Sequence, residues 1–294
     1  MHSYQFSPIP FIYPRLGFSR HRHVALLDLS IRSFTAMEKE MAIYDALQLQ
    51  PHRNFTQRLG PGSTDYLFIE RLDPLQKVWS VASREDRHRW ALDLLDATSW
   101  LEKLGFIHGD LAVRNLGVDS VNTLKIFDFG SSSPSESSTD VITDHFDLAT
   151  CLHFILSGVD PFAGVQSRSE AIQIRDTLQA GRWTIAQGAE VIGGVIQDGW
   201  TGRAGAKSFK DLLNQVTRIL GVPSVPLDLK ARREYYQRLQ LRCQDWLCNT
   251  PKNPLWKKPD EYIASPINST LFKLLSTLII AYYNYTMLSY GSLA

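Results

Sequence analysis

The sequence predicts a mixed α+β protein, folded as one two-lobed domain or as two small ones, and three observations carry that expectation. The chain has 294 residues, 44% hydrophobic and 21% charged, enough apolar side chain to bury a sizeable core. Strand-like apolar runs (His23–Leu27, Tyr66–Leu72, Leu124–Phe127) lie in the first half, whereas helical spacing dominates the second. Polar side chains, Asp110, Asn115 and Asp128, stand at the ends of short apolar runs, where a rigid scaffold can aim them into a cleft.

Composition narrows the classes. The formal net charge is +1, so there is no basic field and nucleic acid is not an expected partner. Cys151, Cys243 and Cys248 form no Cys-x-x-Cys and have no matching histidine spacing, which reads as free thiols in a reducing compartment. The first residues lack the apolar core of a signal peptide. The expected location is intracellular, cytoplasmic or nuclear.

Taken in order, Pro8, Pro10 and Pro14 break any early helix. Phe34, Met37, Met41, Tyr44 and Leu47 place a helix over 34–49. Tyr66–Leu72 reads as a buried strand ending in a polar turn. Trp90, Leu94, Ala97, Leu101 and Leu104 mark an amphipathic helix over 87–104, stopped by Gly105. The stretch from Phe106 to Gly130, FIHGDLAVRNLGVDSVNTLKIFDFG, follows. Its two carboxylates and one amide suit phosphoryl transfer from a magnesium nucleotide. One carboxylate orients the attacking hydroxyl, while a second and an amide oxygen supply hard ligands for Mg²⁺. A short serine-rich loop leads to an apolar helix expected over 144–158, beginning at Asp144. Further helices are expected over 169–180, 184–192, 212–220 and 227–248, then a Pro-containing linker over 249–262 and an apolar helical stripe from Leu271 to Tyr282.

His108-Gly109-Asp110-Leu111-Ala112-Val113-Arg114-Asn115 resembles the protein-kinase catalytic loop H-R-D-L-x-x-x-N, and Asp128-Phe129-Gly130 stands unaltered at the expected separation. The resemblance covers 34–220 and is densest over 87–158. It implies an α+β, bilobal protein kinase-like fold, with a small, incomplete N-terminal sheet-and-helix lobe and a larger, mainly helical C-terminal lobe. It is most similar to the divergent kinase-like proteins of filamentous fungi. The implied division is 1–72 for the partial small lobe and hinge, 73–220 for the large lobe, 221–266 for a helical extension and linker, and 267–294 for an apolar C-terminal helix.

The resemblance also implies roles. ATP and Mg²⁺ are the cofactors. Asp110 accepts or orients the hydroxyl proton, Asn115 and Asp128 hold the metal, and Arg114 lies near the γ-phosphate. Ala25 packs on adenine, Glu70 and Leu72 meet it through their backbone, Ile69 is the gatekeeper, and Glu40 is the helix glutamate that pairs with a strand lysine. That lysine is Leu27 here, and the first 59 residues hold a single glycine, Gly17, so no G-x-G-x-x-G loop is present. Three readings stand. The chain transfers phosphate from ATP to a protein hydroxyl; it is a pseudokinase binding module; or it phosphorylates a small molecule, as aminoglycoside and choline kinases do, whose H-G-D matches Gly109. The tail from Leu274 to Ala294 carries no charge. Its length allows a membrane anchor, while its polar residues and one-sided stripe favour docking on the lobe or on a partner.

Overall fold

The computed structural model describes residues 24–28, 34–59, 66–135, 138–222 and 229–249. The expected division into a small sheet-and-helix lobe and a larger helical lobe is observed. In the small lobe, β1 (Val24–Asp28), α1 (Phe34–Leu49), β2 (Arg58–Leu59) and β3 (Tyr66–Glu70) follow one another. The strands form an antiparallel sheet in the order β1-β3-β2, with Ala25 opposite Ile69 and Leu27 opposite Leu67. Helix α1 spans the predicted residues and buries Ile43, Tyr44 and Leu47. The polypeptide then passes through Arg71 and Leu72 into β4 (Asp73–Pro74) and α2 (Leu75–Val78).

Helix α3 (Arg84–Lys103) starts three residues before the predicted Arg87. The Ser83 side chain accepts from Asp86 N–H, and Asp86 caps Ser83 N–H in return, so two orphan donors are satisfied and the first turn is stable. Gly105, at φ +80°, ends the helix in the left-handed region, as its identity predicts. β5 (Phe106–Ile107), β6 (Leu116–Val118), β7 (Leu124–Ile126) and β8 (Ser133–Pro134) follow. β4, β6 and β7 form one antiparallel sheet, and β5 pairs with β8. β7 does not alternate as its sequence suggests. Leu124, Lys125 and Ile126 are all buried.

Helix α4 (Ser138–Ser157) is the apolar centre of the large lobe and begins six residues before the predicted Asp144. Asp144 therefore lies inside the helix and does not cap it. α5 (Arg168–Gln179) carries a capping box from Ser167 and Glu170. The helix expected over 184–192 is not formed. Gly188 adopts φ +94°, and a Cβ there would lie 2.7 Å from Leu156 O, so the stretch turns tightly and keeps one 3₁₀ turn at Glu190–Ile192. α6 (Gly193–Trp200), α7 (Phe209–Leu220) and α8 (Leu229–Asn249) complete the described residues. α3, α4, α6 and α7 enclose the core, with Trp90 and Trp200 buried in it. The expected helical extension is present as α8, which lies against the small-lobe sheet, packing Leu239 and Cys243 on Leu59 and Phe68. The expected linker over 249–262, save Asn249 at the end of α8, and the expected apolar helix over 267–294 fall outside the described residues. No helix among the described residues is long and apolar enough to cross a membrane.

Candidate active site

The catalytic loop is built by its backbone. His108 N–H and Gly109 N–H donate to Asp144 Oδ2 and Oδ1 at 2.7 and 2.9 Å. One buried carboxylate on α4 thus fixes two successive peptides. The His108 ring accepts from Asp110 N–H at Nδ1 (3.3 Å), so Nε2 carries the hydrogen and donates to Phe127 O at 3.3 Å. Complete burial holds this imidazole below its ordinary pKa, against the opposing pull of Asp144, so the neutral tautomer is kept.

Gly109 has φ +74°, and a Cβ on it would meet Ser131 O at 2.5 Å. Ser132 Oγ donates to His108 O at 3.1 Å, and Ser135 N–H donates to Gly105 O at 2.8 Å. The segment after Asp128-Phe129-Gly130 therefore folds directly onto the catalytic loop and pairs with β5 before entering α4. A side chain as long as arginine at position 109 has no room.

Asp110 and Asn115 lie against each other, and the strand before Asp128 is tied to Asn115 through the backbone. Asn115 Nδ2 donates to Asp110 O at 2.8 Å and to Asp110 Oδ2 at 3.2 Å, which leaves the amide oxygen as its metal-capable atom. Phe127 N–H donates to Asn115 O at 3.1 Å and ties the strand before Asp128 to the loop. Arg114 forms an ion pair with Asp110 Oδ1 and is half exposed. Asp128 sits at φ +66°. Among the described residues the other non-glycine in that region is Asn122, in the β6–β7 turn. A left-handed backbone at a non-glycine residue is a mark of function when the surroundings enforce it. Phe129 enforces it here. Its ring is fully buried, 5.3 Å from Tyr44 of α1, 5.9 Å from Phe55 and 5.5 Å from His108. These rings form a column from the small-lobe helix to the catalytic loop.

The donor set suits Mg²⁺. A carboxylate and an amide oxygen are hard ligands, and Mg²⁺ takes its remaining positions from water and substrate phosphates.

In the small lobe, Ala25 and Leu27 lie on β1, and Glu40 is buried on α1. Glu70 N–H donates to Gln57 O at 3.2 Å and so is not available to an adenine. The Glu70 carboxylate is also buried, in a pair with Lys125. Leu72 lies against β6, where a Cβ on Gly117 would touch it at 2.6 Å. Ile69 is buried in β3. Sequence reading missed Lys125 and Tyr236, which close around Glu70. A lysine inside the apolar run Leu124–Phe127 is the signal that could have marked the first.

Two kinds of comparison bear on this arrangement. Residues 66–151 match the family model of protein tyrosine and serine/threonine kinase. The chain is similar to the Insulin-like receptor of Caenorhabditis elegans, 37% identical over 71 residues, which is 22% of this chain and 4% of that protein. It is also similar to the Activated Cdc42 kinase Ack of Drosophila melanogaster, 24% identical over 227 residues, 76% of this chain and 18% of that protein. The chain thus spans a small part of the length of the curated relatives it matches. Residues 66–151, from the start of β3 to the middle of α4, are similar to the protein kinase family, and the fold is the α+β, two-lobed arrangement of a small sheet-and-helix lobe and a larger helical lobe.

Proposed function

We propose that this chain is an ATP-dependent phosphotransferase, using Asp110 to orient a substrate hydroxyl and Asn115 with Asp128 to hold Mg²⁺. The observation that supports the reading is the pairing of Asn115 with Asp110 on a loop whose backbone Asp144 fixes, with Asp128 one short hairpin further on, at φ +66° beside the buried Phe129. Bound Mg·ATP would supply the transferable phosphoryl group and a cation to offset its charge. Asp110 accepts the hydrogen bond of the incoming hydroxyl. Arg114, paired with Asp110, offers a cation at the mouth of the site. Asp144 holds the loop backbone so that Asp110 needs no reorganisation during reaction.

The test is the thermal shift produced by ATP with and without Mg²⁺. Wild type is expected to be stabilised by millimolar Mg·ATP. Asp128→Asn, which tolerates the same left-handed backbone, is expected to lose the metal dependence. A wild type unmoved by Mg·ATP ends the proposal.

A second reading of the acceptor is favoured by one observation. Residues 131–135 return at once to Gly109, Gly105 and β5 and build no extended platform on which a peptide could lie. Gly109 and this short path favour a small hydroxylated acceptor over a protein. Turnover of a panel of small alcohols against a peptide library, measured by ADP release, separates the two.

A further inference from the structure

A buried ionic hub lies behind the hinge, apart from the catalytic loop and unused by the proposed chemistry. Lys125 Nζ donates to Glu70 Oε1 at 2.7 Å and Oε2 at 2.6 Å, and to the Tyr236 hydroxyl at 2.7 Å. The Tyr236 hydroxyl in turn donates to Glu70 Oε2 at 2.9 Å. Asp119 Oδ2 stands 3.3 Å from the same ammonium. The Lys125 and Glu70 side chains are 1% and 0% exposed, so the two charged groups are buried, while Tyr236 is partly buried.

Three separate parts of the chain meet there. Glu70 ends β3, immediately before the crossing to the large lobe. Lys125 lies on β7, three residues before Asp128. Tyr236 belongs to α8, and with Leu239 and Cys243 it forms one helical face against Leu59 and Phe68 of the small-lobe sheet. The ammonium spends its hydrogens on Glu70 and Tyr236, and the phenol both accepts and donates. Burial, reinforced by Glu70, raises the Tyr236 pKa and keeps the hydroxyl protonated as that donor. A buried ion pair adds little net stability compared with an apolar replacement, but its fixed geometry determines where its partners stand.

We propose that α8 is an intramolecular clasp and Tyr236 a positioning residue, whose hydroxyl locks the end of the hinge strand to the strand that delivers Asp128. The inference rests on the nucleotide site of the proposed function. With α8 docked, Glu70 and the following Arg71-Leu72 are held in one register. With α8 released, Lys125 and Glu70 each lose a partner, Leu59 and Phe68 become uncovered, and the hinge gains freedom. Apparent nucleotide affinity then falls in proportion to the docked fraction.

The test uses the full chain carrying Tyr236→Phe, which removes one oxygen and little volume. Hydrogen exchange without nucleotide is read over residues 66–74 and 229–249. Both segments are expected to exchange about tenfold faster or more, since a hydrogen bond to a charged group is lost. In a Mg·ATP titration the dissociation constant is expected to rise about three- to tenfold, with kcat of any turnover unchanged and KM raised. Cys243→Ala, on the same face but away from the hub, is expected to act in the same direction more weakly. Leu241→Ala, 65% exposed, is expected to change neither readout. Unchanged exchange over residues 66–74 in Tyr236→Phe overturns the clasp, even if α8 itself loosens. If wild type binds no nucleotide, the phosphotransferase reading fails alone, and the exchange of residues 66–74 still decides whether α8 holds the hinge.

Discussion

Gly109 and Asp144 decide the shape of the catalytic loop between them. Gly109 occupies a left-handed conformation beneath Ser131, and Asp144 binds the two peptides around it. Gly109→Ala must bear about 1–2 kcal/mol of backbone strain and push against Ser131 O as well. Its melting temperature is expected to fall, and residues 131–135 are expected to become more open to protease. An unchanged melt would mean that the segment after Gly130 lies elsewhere. Asp144→Ala leaves the buried His108 N–H and the more exposed Gly109 N–H without their acceptor, at about 1–3 kcal/mol for the buried donor. The large lobe is expected to melt several degrees lower. A variant that melts like wild type but turns over slowly would show that Asp144 acts on chemistry alone.

At the scale of an element, α4 carries more than its apolar stripe suggests. Gly158 closes its C-terminus at φ +77°, where a Cβ would strike the Trp79 ring at 2.4 Å, and Trp79 Nε1–H donates to Ile155 O at 2.8 Å. The helix also carries Asp147, paired at 3.6 Å with Arg175 of α5. Burial raises the Asp147 carboxyl to about 7, with Asp144 and Asp110 adding to the rise and Arg175 opposing it. The folded protein therefore keeps a proton that the unfolded chain releases near pH 4. Stability from this group is fully present below that unfolded pKa and is lost as pH rises through about 7. His108, whose pKa is lowered by burial, acts oppositely and costs stability as pH falls below its unfolded value near 6.5. Melting temperatures of wild type and Asp147→Asn at pH 5 and pH 8 isolate the first effect. The variant is expected to lose less stability between these two values than wild type. Equal losses in the two proteins would place Asp147 in water.

For the whole molecule, the small lobe is expected to limit the rate of the proposed phosphotransfer. Leu27 stands on β1 where the resemblance expects a lysine, and removal of one preorganised cation typically costs about 10²- to 10³-fold. Slow phosphotransfer is therefore expected, and Leu27→Lys is expected to raise it, as measured by ADP release at saturating Mg·ATP. A wild type with ordinary turnover that Leu27→Lys leaves unchanged would show that another cation stands in that place.

Much of this was legible before any coordinates. Helical spacing marked α1 to the residue, and Gly105 marked the end of α3, because such signals are carried by neighbours three or four positions apart. The closeness of Asp110 and Asn115 was legible for the same reason, since they lie five residues apart. The failures were tertiary. Gly188 denied a helix to 184–192 because Leu156 O lies above it, and α4 begins six residues before Asp144, where its start was read. Sequence alone determined most of the local elements and the two-lobed class. Only the tertiary structure decided that α8 folds back on the small lobe and that Lys125 is buried. The partners of that lysine are 55 and 111 residues away, a separation that no local pattern of hydrophobicity or spacing can encode.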